Sequence, residues 1–284
     1  MPELPEVETV RQGLNHLTLA RVIWGGEVLL DRALAHPISV ASFLNGLQGV
    51  AIAHWHRRGK YLLAELKREQ NNGEEGGWLG VHLRMTGQLL WVERTERLQK
   101  HTRVRLFFAS EKELRFVDQR TFGQLWWVSP REKPETIITG LQKLGPEPWA
   151  AEFSVAYMTG KLGKSRRPIK TMLLDQGFVA GIGNIYADEA LFLSGIPPLR
   201  SCRDLSPEQI ESLRRAIVQV LEAAMDAGGT TFSNFLNVLG VNGNYGGVAW
   251  VYNRAGKPCR VCGTLIQRQK FAGRSTHFCP QCQK

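Results

Sequence analysis

The strongest constraint on this chain lies near its end, where Cys259-x2-Cys262 is followed after sixteen residues by Cys279-x2-Cys282. Two thiolates at that spacing can meet one tetrahedral ion, and sixteen intervening residues suit a β-hairpin that returns the second pair to the first. The pattern predicts one structural Zn2+ held by Cys259, Cys262, Cys279 and Cys282. Two disulfides are the alternative, but they belong to oxidising compartments. No basic-then-apolar leader precedes Pro2, so a cytoplasmic address is expected. Four thiolates fill the coordination shell and leave no place for an activated water, so the metal should organise the hairpin and perform no chemistry. That hairpin would present Arg274, with His277 on its surface rather than acting as a fifth ligand. The remaining cysteine, Cys202, reads as an inert buried thiol.

Charge points to the partner. The formal net charge is +10, and residues 251–284 hold seven basic side chains and no acidic one. Lys161, Lys164, Arg166, Arg167 and Lys170 form a second acid-free stretch. Such surfaces attract phosphate polyanions, and nucleic acid is favoured over an acidic membrane. The longest uncharged run, 227–253, is crowded with Gly, Asn, Thr and Ser and cannot serve as a membrane span. With 43% hydrophobic and 22% charged residues, the chain has a globular composition, and its 284 residues suffice for one large or two medium domains.

Periodicity divides the chain. Pro5 suits a first helical turn, and Val7, Val10 and Leu14 follow at helical spacing, so a helix should begin almost at the terminus. From about Arg21 to Val128, short apolar stretches broken by Gly and charge read as an antiparallel sandwich or barrel, with 69–77 as a solvated loop. The proline-punctuated Lys143-Leu144-Gly145-Pro146-Glu147-Pro148 marks a domain boundary, after which the pattern is helical. Ser206-Pro207-Glu208-Gln209 is a capping box, and Ile210, Leu213, Ile217, Val220, Leu221 and Ala224 form one face of the helix it opens. Gly181-Ile182-Gly183-Asn184 permits a tight turn before another helix start, where exposed N–H groups and Asn184 suit a phosphate or a simple helix hairpin.

The chemistry begins at Pro2. A small residue after the initiator Met permits its removal, which would expose a secondary amine. An α-amino group titrates near ~7.7–8.0 against ~10.4 for lysine, so far more free amine exists at neutral pH. A secondary amine attacks carbonyl carbon and forms an iminium ion, an electron sink for elimination at the neighbouring carbon. Glu3 and Glu6 stand beside it as candidate acids or bases, or as ordinary first-turn carboxylates that favour the helix dipole. Lys60, after Gly59 between two strand-like stretches, is expected on a hairpin tip.

The opening Pro2-Glu3-Leu4-Pro5-Glu6-Val7-Glu8 resembles the start of the bacterial formamidopyrimidine-DNA glycosylases, the Fpg/MutM family. His82-Leu83-Arg84-Met85-Thr86-Gly87, Asp118-Gln119-Arg120-Thr121-Phe122-Gly123, Leu144-Gly145-Pro146-Glu147-Pro148, Gly181-Ile182-Gly183-Asn184-Ile185-Tyr186 and the cysteine finger with Gly273-Arg274-Ser275-Thr276 occur in the same order as in that family. The resemblance implies a multi-domain α+β fold. Its parts are an N-terminal antiparallel β-sandwich with a terminal helix (1–130), a linker (131–150), a helix-two-turn-helix domain (151–228), a lesion-capping loop region (229–250) and a four-cysteine zinc-finger hairpin (251–284).

By position, Pro2 would attack C1′ of a damaged nucleotide, Glu3 would protonate the opening sugar with Glu6 in support, and Lys60 would serve β-elimination. Arg274 would grip phosphates and assist δ-elimination. His101, Arg120, Arg166, Lys170 and Asn184 would contact DNA, and Met85, Arg120 and Phe122 would fill the gap left by the everted base, since base removal requires leaving the stack. The implied activity is glycosylase and abasic-site lyase action on 8-oxoguanine and formamidopyrimidines in duplex DNA, performed by a monomer without membrane partners. Two alternatives share parts of this pattern: an endonuclease VIII-like enzyme for oxidised pyrimidines, and a non-catalytic protein that only binds damage. Gln119 and Thr121 depart from the family's usual Pro and Arg. Phe232-Ser233-Asn234 departs from the Arg-bearing segment common in its lid.

Overall fold

Pro5 in the first turn and the Val7, Val10, Leu14 stripe build α1 (Leu4–Thr18), and all three stripe residues are fully buried. Alternating and continuous apolar stretches then give β1 (Val22–Val28), β2 (Leu34–His36), β3 (Val50–Arg58), β4 (Tyr61–Arg68) and β5 (Glu75–His82), with α2 (Val40–Leu47) between β2 and β3. The series continues with β6 (Gly87–Glu93), β7 (Thr102–Phe108), β8 (Lys112–Asp118) and β9 (Gln124–Val128). The computed structural model describes residues 1–68, 75–230 and 236–284. Phe232-Ser233-Asn234 and most of the expected loop at 69–77 therefore lie outside the described residues. The rest of that loop is corrected: Glu75 pairs with Lys67 and Gly77 with Leu66 in the β4–β5 ladder. The glycines that suggested a loop mark a close backbone approach, since a Cβ on Gly77 would lie 2.1 Å from the Val128 carbonyl oxygen.

These strands form one nine-stranded sheet in the order β2-β9-β5-β4-β3-β1-β7-β8-β6. The pivot is β1, where Val22 and Ile23 pair with β3 and Gly25 through Val28 pair with β7, with a register break between them. The break lets a continuous ladder fold into two facing halves. Leu79, Val81 and Leu125 of one half pack against Leu89, Leu106 and Phe116 of the other. That is a sandwich, with one departure from the antiparallel expectation: β2 runs parallel to β9. The two strands are distant in sequence, so no hairpin turn imposes antiparallel entry.

The contacts divide the chain into two units, Met1–Gln142 with Gly228–Gly243, and Lys143–Ala227 with Asn244–Lys284. The returning segment joins the first unit through Val238, whose carbonyl accepts the Trp91 N–H at 2.9 Å and whose side chain covers Gly13.

The second unit holds α4 (Val155–Leu162), α5 (Ile169–Leu173), α6 (Asn184–Leu193), α7 (Pro207–Asp226), β10 (Gln267–Phe271) and β11 (Arg274–Phe278), while the short α3 (Pro134–Ile137) belongs to the first. The capping box forms reciprocally, with the Gln209 N–H donating to Ser206 Oγ at 3.3 Å and the Ser206 N–H to Gln209 Oε1 at 3.1 Å. All six residues of the expected α7 face are buried. Within α6, the Glu189 carboxylate accepts the N–H groups of Trp250, Val251 and Tyr252 and the Tyr245 hydroxyl, tying down the chain that leads to the finger. Among the described residues, no helix is long and apolar enough to cross a membrane.

Candidate active site

The first unit gathers several of the sequence candidates around the chain's amino terminus. Pro2 is buried directly before α1, and Glu3 caps that helix in extended conformation at 2% exposure. Glu6 is also buried, and both its carboxylate oxygens are engaged: one accepts the Glu3 N–H at 2.8 Å, the other the Thr230 N–H at 2.9 Å. Those bonds suit Glu6 to fixing the backbone of Glu3 and the start of the returning segment rather than to proton transfer. Gly59 and Lys60 form the two-residue turn between β3 and β4, where Gly59 takes φ +55°. Contrary to the ordinary fate of a hairpin-tip lysine, Lys60 is buried at 7% exposure.

With Met1 retained, burial lowers the terminal amine below its ordinary value. Lys60 and Arg120 push the same way, and Glu3 and Glu6 oppose them. Residues from α1, the β3–β4 turn and the β8–β9 loop thus act on one terminal nitrogen. A further residue, His82, has no role assigned from sequence. Burial, then the charges of Arg84 and Lys60, push its imidazole down to about 3. It is therefore neutral near pH 7, and its Nδ1 accepts the Arg84 N–H at 3.0 Å.

Two loops of the same unit carry the expected wedge. Met85 and Phe122 are exposed at 36% and 53%, unusual for side chains of their size, and the Arg120 guanidinium stacks 4.8 Å from the Phe122 ring centroid. His101 is half-buried, with Nδ1 3.2 Å from Arg103 Nη2.

In the second unit, Arg166 and Arg274 are exposed, Arg274 at the start of β11. Lys170 requires correction as a DNA contact. It is 1% exposed, its ammonium donates to the Ser275 carbonyl and the Thr276 hydroxyl at 2.9 Å each, and it pairs with Asp188 at 2.6 Å. A buried ammonium is retained only with such partners, and here they bind α5 and α6 to the finger hairpin. Asn184, the first residue of α6, donates Nδ2 to the same Ser275 carbonyl at 2.9 Å, so its amide donor is committed internally. His277 is corrected as well: it is buried at 5%, and its N–H donates to Asp188 at 2.8 Å. The missed partner had a signal, since Asp188 and Glu189 interrupt an otherwise apolar helix, and buried acids demand donors.

The four cysteine sulfurs all lie within 4.8 Å of one another, with Cys259–Cys282 at 3.9 Å and Cys262–Cys279 at 3.5 Å. Zn–S bonds of ~2.3 Å give a tetrahedron with edges of roughly 3.8 Å. The set fits one structural zinc ion, backed by Phe192, Val251 and Ile266.

Family models described as the formamidopyrimidine-DNA glycosylase N-terminal domain, the formamidopyrimidine-DNA glycosylase H2TH domain, and a zinc finger found in FPG and IleRS match residues 1–125, 144–235 and 256–284. The formamidopyrimidine-DNA glycosylase of Nostoc punctiforme is 67% identical over 283 residues, covering 100% of this chain and 96% of its own. That of Trichodesmium erythraeum is 65% identical, with both chains fully covered. The chain belongs to the formamidopyrimidine-DNA glycosylase family.

Solved members of the family share the fold. The Lactococcus lactis Fpg, in complex with DNA containing an abasic site, superposes with a TM-score of 0.89 at 35% identity, covering 99% of each chain. The Thermus thermophilus MutM protein gives 0.86 at 38% identity, covering 99% of this chain and 98% of that one. The chain is thus a zinc-finger DNA glycosylase of base-excision repair, and abasic-site lyase activity is typical of its family.

Proposed function

We propose that the protein removes oxidised purines, 8-oxoguanine and formamidopyrimidines, from duplex DNA through a covalent intermediate on Pro2, and then cleaves the strand. The observation that carries this reading is the gathering of buried Glu3 and Lys60 about the terminal amine beside buried Pro2, where desolvation lowers that amine's basicity. After loss of Met1, the Pro2 nitrogen attacks C1′, and the bond from C1′ to the base breaks with the base leaving protonated. Glu3 donates a proton to the ring oxygen, the sugar opens, and an iminium remains. Loss of the C2′ proton expels the 3′-phosphate, with Lys60 serving this β-elimination. Loss of the C4′ proton then expels the 5′-phosphate by δ-elimination, with Arg274 on the phosphates, and water hydrolyses the iminium to release Pro2. A free amine and a positioned acid supply the two functions that this sequence requires.

Met85, Arg120 and Phe122 fill the vacated stack, and His101, Arg166 and the turn before Asn184 hold the backbone, all within a monomer. The lesion-capping role belongs to 229–250, working with the catalytic domain (1–130), linker (131–150), helix-two-turn-helix domain (151–228) and finger (251–284). On this reading the enzyme works in the cytoplasm, on the nucleoid. Related proteins support the substrate class, since a mutant of the Lactococcus lactis enzyme has been solved with Fapy-dG-containing DNA. Borohydride reduction during turnover should trap protein on lesion DNA through residue 2, mapped by mass spectrometry of the amino-terminal peptide. Normal strand cleavage without any adduct, by protein shown to lack Met1, would discard the covalent mechanism.

A further inference from the structure

Asp118 ends β8 at 1% exposure and takes no part in the steps above. One carboxylate oxygen accepts the Thr86 hydroxyl and the Arg120 N–H, the latter at 3.2 Å, and the other accepts the Gly123 N–H at 2.7 Å. The Thr86 hydroxyl accepts the Arg120 N–H as well, at 2.9 Å. Thr86 directly follows Met85, and Arg120 and Gly123 bracket Phe122. The carboxylate therefore ties together the two loops that carry the three wedge side chains. Its main chain reaches the start of β7, donating to the His101 carbonyl at 2.9 Å and accepting from Arg103 Nε at 2.8 Å.

These loops need such a tie. Arg84 and Thr121, one in each, adopt left-handed backbone at φ +53° and +57°, which side-chain-bearing residues hold only when their surroundings dictate it. The site is also built to admit the bond to Gly123, because a Cβ there would lie 2.5 Å from the Phe116 ring and 3.1 Å from the Asp118 carboxylate.

We propose that Asp118 is a positioning residue for base eversion, holding Met85 on one loop and Arg120 and Phe122 on the other as a single preformed wedge. The inference rests on the reading that these three side chains enter the duplex. A preformed wedge spends no binding energy on ordering its loops, so losing the tie should slow eversion and leave the chemistry at an already accessible sugar intact.

The test compares two substrates: a lesion duplex with 2-aminopurine beside the lesion, and an abasic site in single-stranded DNA, which offers no duplex for the wedge to enter. Asp118→Ala should slow both the fluorescence rise and single-turnover excision in the duplex by about 100-fold, the cost of a misplaced group, while cleaving the single strand at the wild-type rate. Asp118→Asn, which keeps an acceptor for one loop, should fall between. Thr86→Val, which removes only the bridging hydroxyl, should move in the same direction and decides the matter if Asp118→Ala does not fold. Equal losses on both substrates, or wild-type unstacking by Asp118→Ala and Thr86→Val, would overturn the proposal. A Met85→Ala, Phe122→Ala double variant separates the two failures. If it is slow in the duplex while the Asp118 variants are not, the positioning role alone is wrong; if it too unstacks normally, the wedge reading falls and the positioning role with it.

Discussion

At the scale of single residues, His82 shows how a buried titratable group couples stability to pH. Its imidazole is pushed down to about 3 by burial first, then by Arg84 and Lys60, whereas the unfolded residue titrates near ~6.5. Between those values the unfolded chain binds a proton that the folded chain refuses, so stability falls as pH drops through that window. One group contributes a slope of at most ~1.4 kcal/mol per pH unit. His82→Gln retains an acceptor for the Arg84 N–H without the titration, so its melting temperature should fall less steeply than the wild type between about pH 6.5 and pH 4. Parallel slopes would remove His82 as the source. Thr121 offers a second test. A β-branched residue at φ +57° is strained, and Thr121→Asn should relieve about 1 kcal/mol, because Asn tolerates that region. A lowered melting temperature would show that the threonine makes a compensating contact.

At the scale of elements, the finger hairpin is anchored by charges as well as by its metal. Lys170 on α5 meets the Ser275 carbonyl 105 residues away, and Asp188 on α6 takes both Lys170 and the His277 N–H. Lys170→Met would leave the fully buried Asp188 without its cation, which should cost about 3–5 kcal/mol, read as a fall in melting temperature of the second unit. Chelating the zinc should abolish DNA binding while the sheet's circular dichroism survives, since the nine strands share no residue with the four-cysteine cluster. Unchanged binding after metal loss would deny the finger any part in gripping DNA. The same elements explain what the sequence made legible. Helix α7 was readable because its capping box and apolar stripe are local signals, and the cysteine spacing fixed the zinc site for the same reason. Lys170 was misread because a charge count treats every lysine as solvated, and its burial depends on partners far along the chain. The Asp118 tie was hidden likewise: Thr86, 32 residues earlier, comes near only once β6 pairs with β8.

At the scale of the whole molecule, the count of 36 lysines and arginines overstates the cations free to meet DNA. Arg115 and Lys170 are buried and paired with Glu113 and Asp188. In the finger, Arg254 bonds the carbonyls of Trp250 and Pro258, and Arg260 those of Gly247 and Val248. Arg274 is exposed at the hairpin's turn, beside a cavity that Arg167 also lines. Each phosphate neutralised contributes ~0.9 to the slope of log affinity against log salt. Arg274→Gln should therefore reduce that slope by about one and weaken binding to lesion and undamaged duplexes alike, as loss of a backbone contact does. Arg260→Gln should lower the melting temperature and leave the slope unchanged, because its guanidinium is spent on the protein's own backbone. Titrations of both variants across a salt series separate the two kinds of arginine. A slope that falls equally in both would mean that the finger acts as a diffuse positive patch, with no single residue gripping a phosphate.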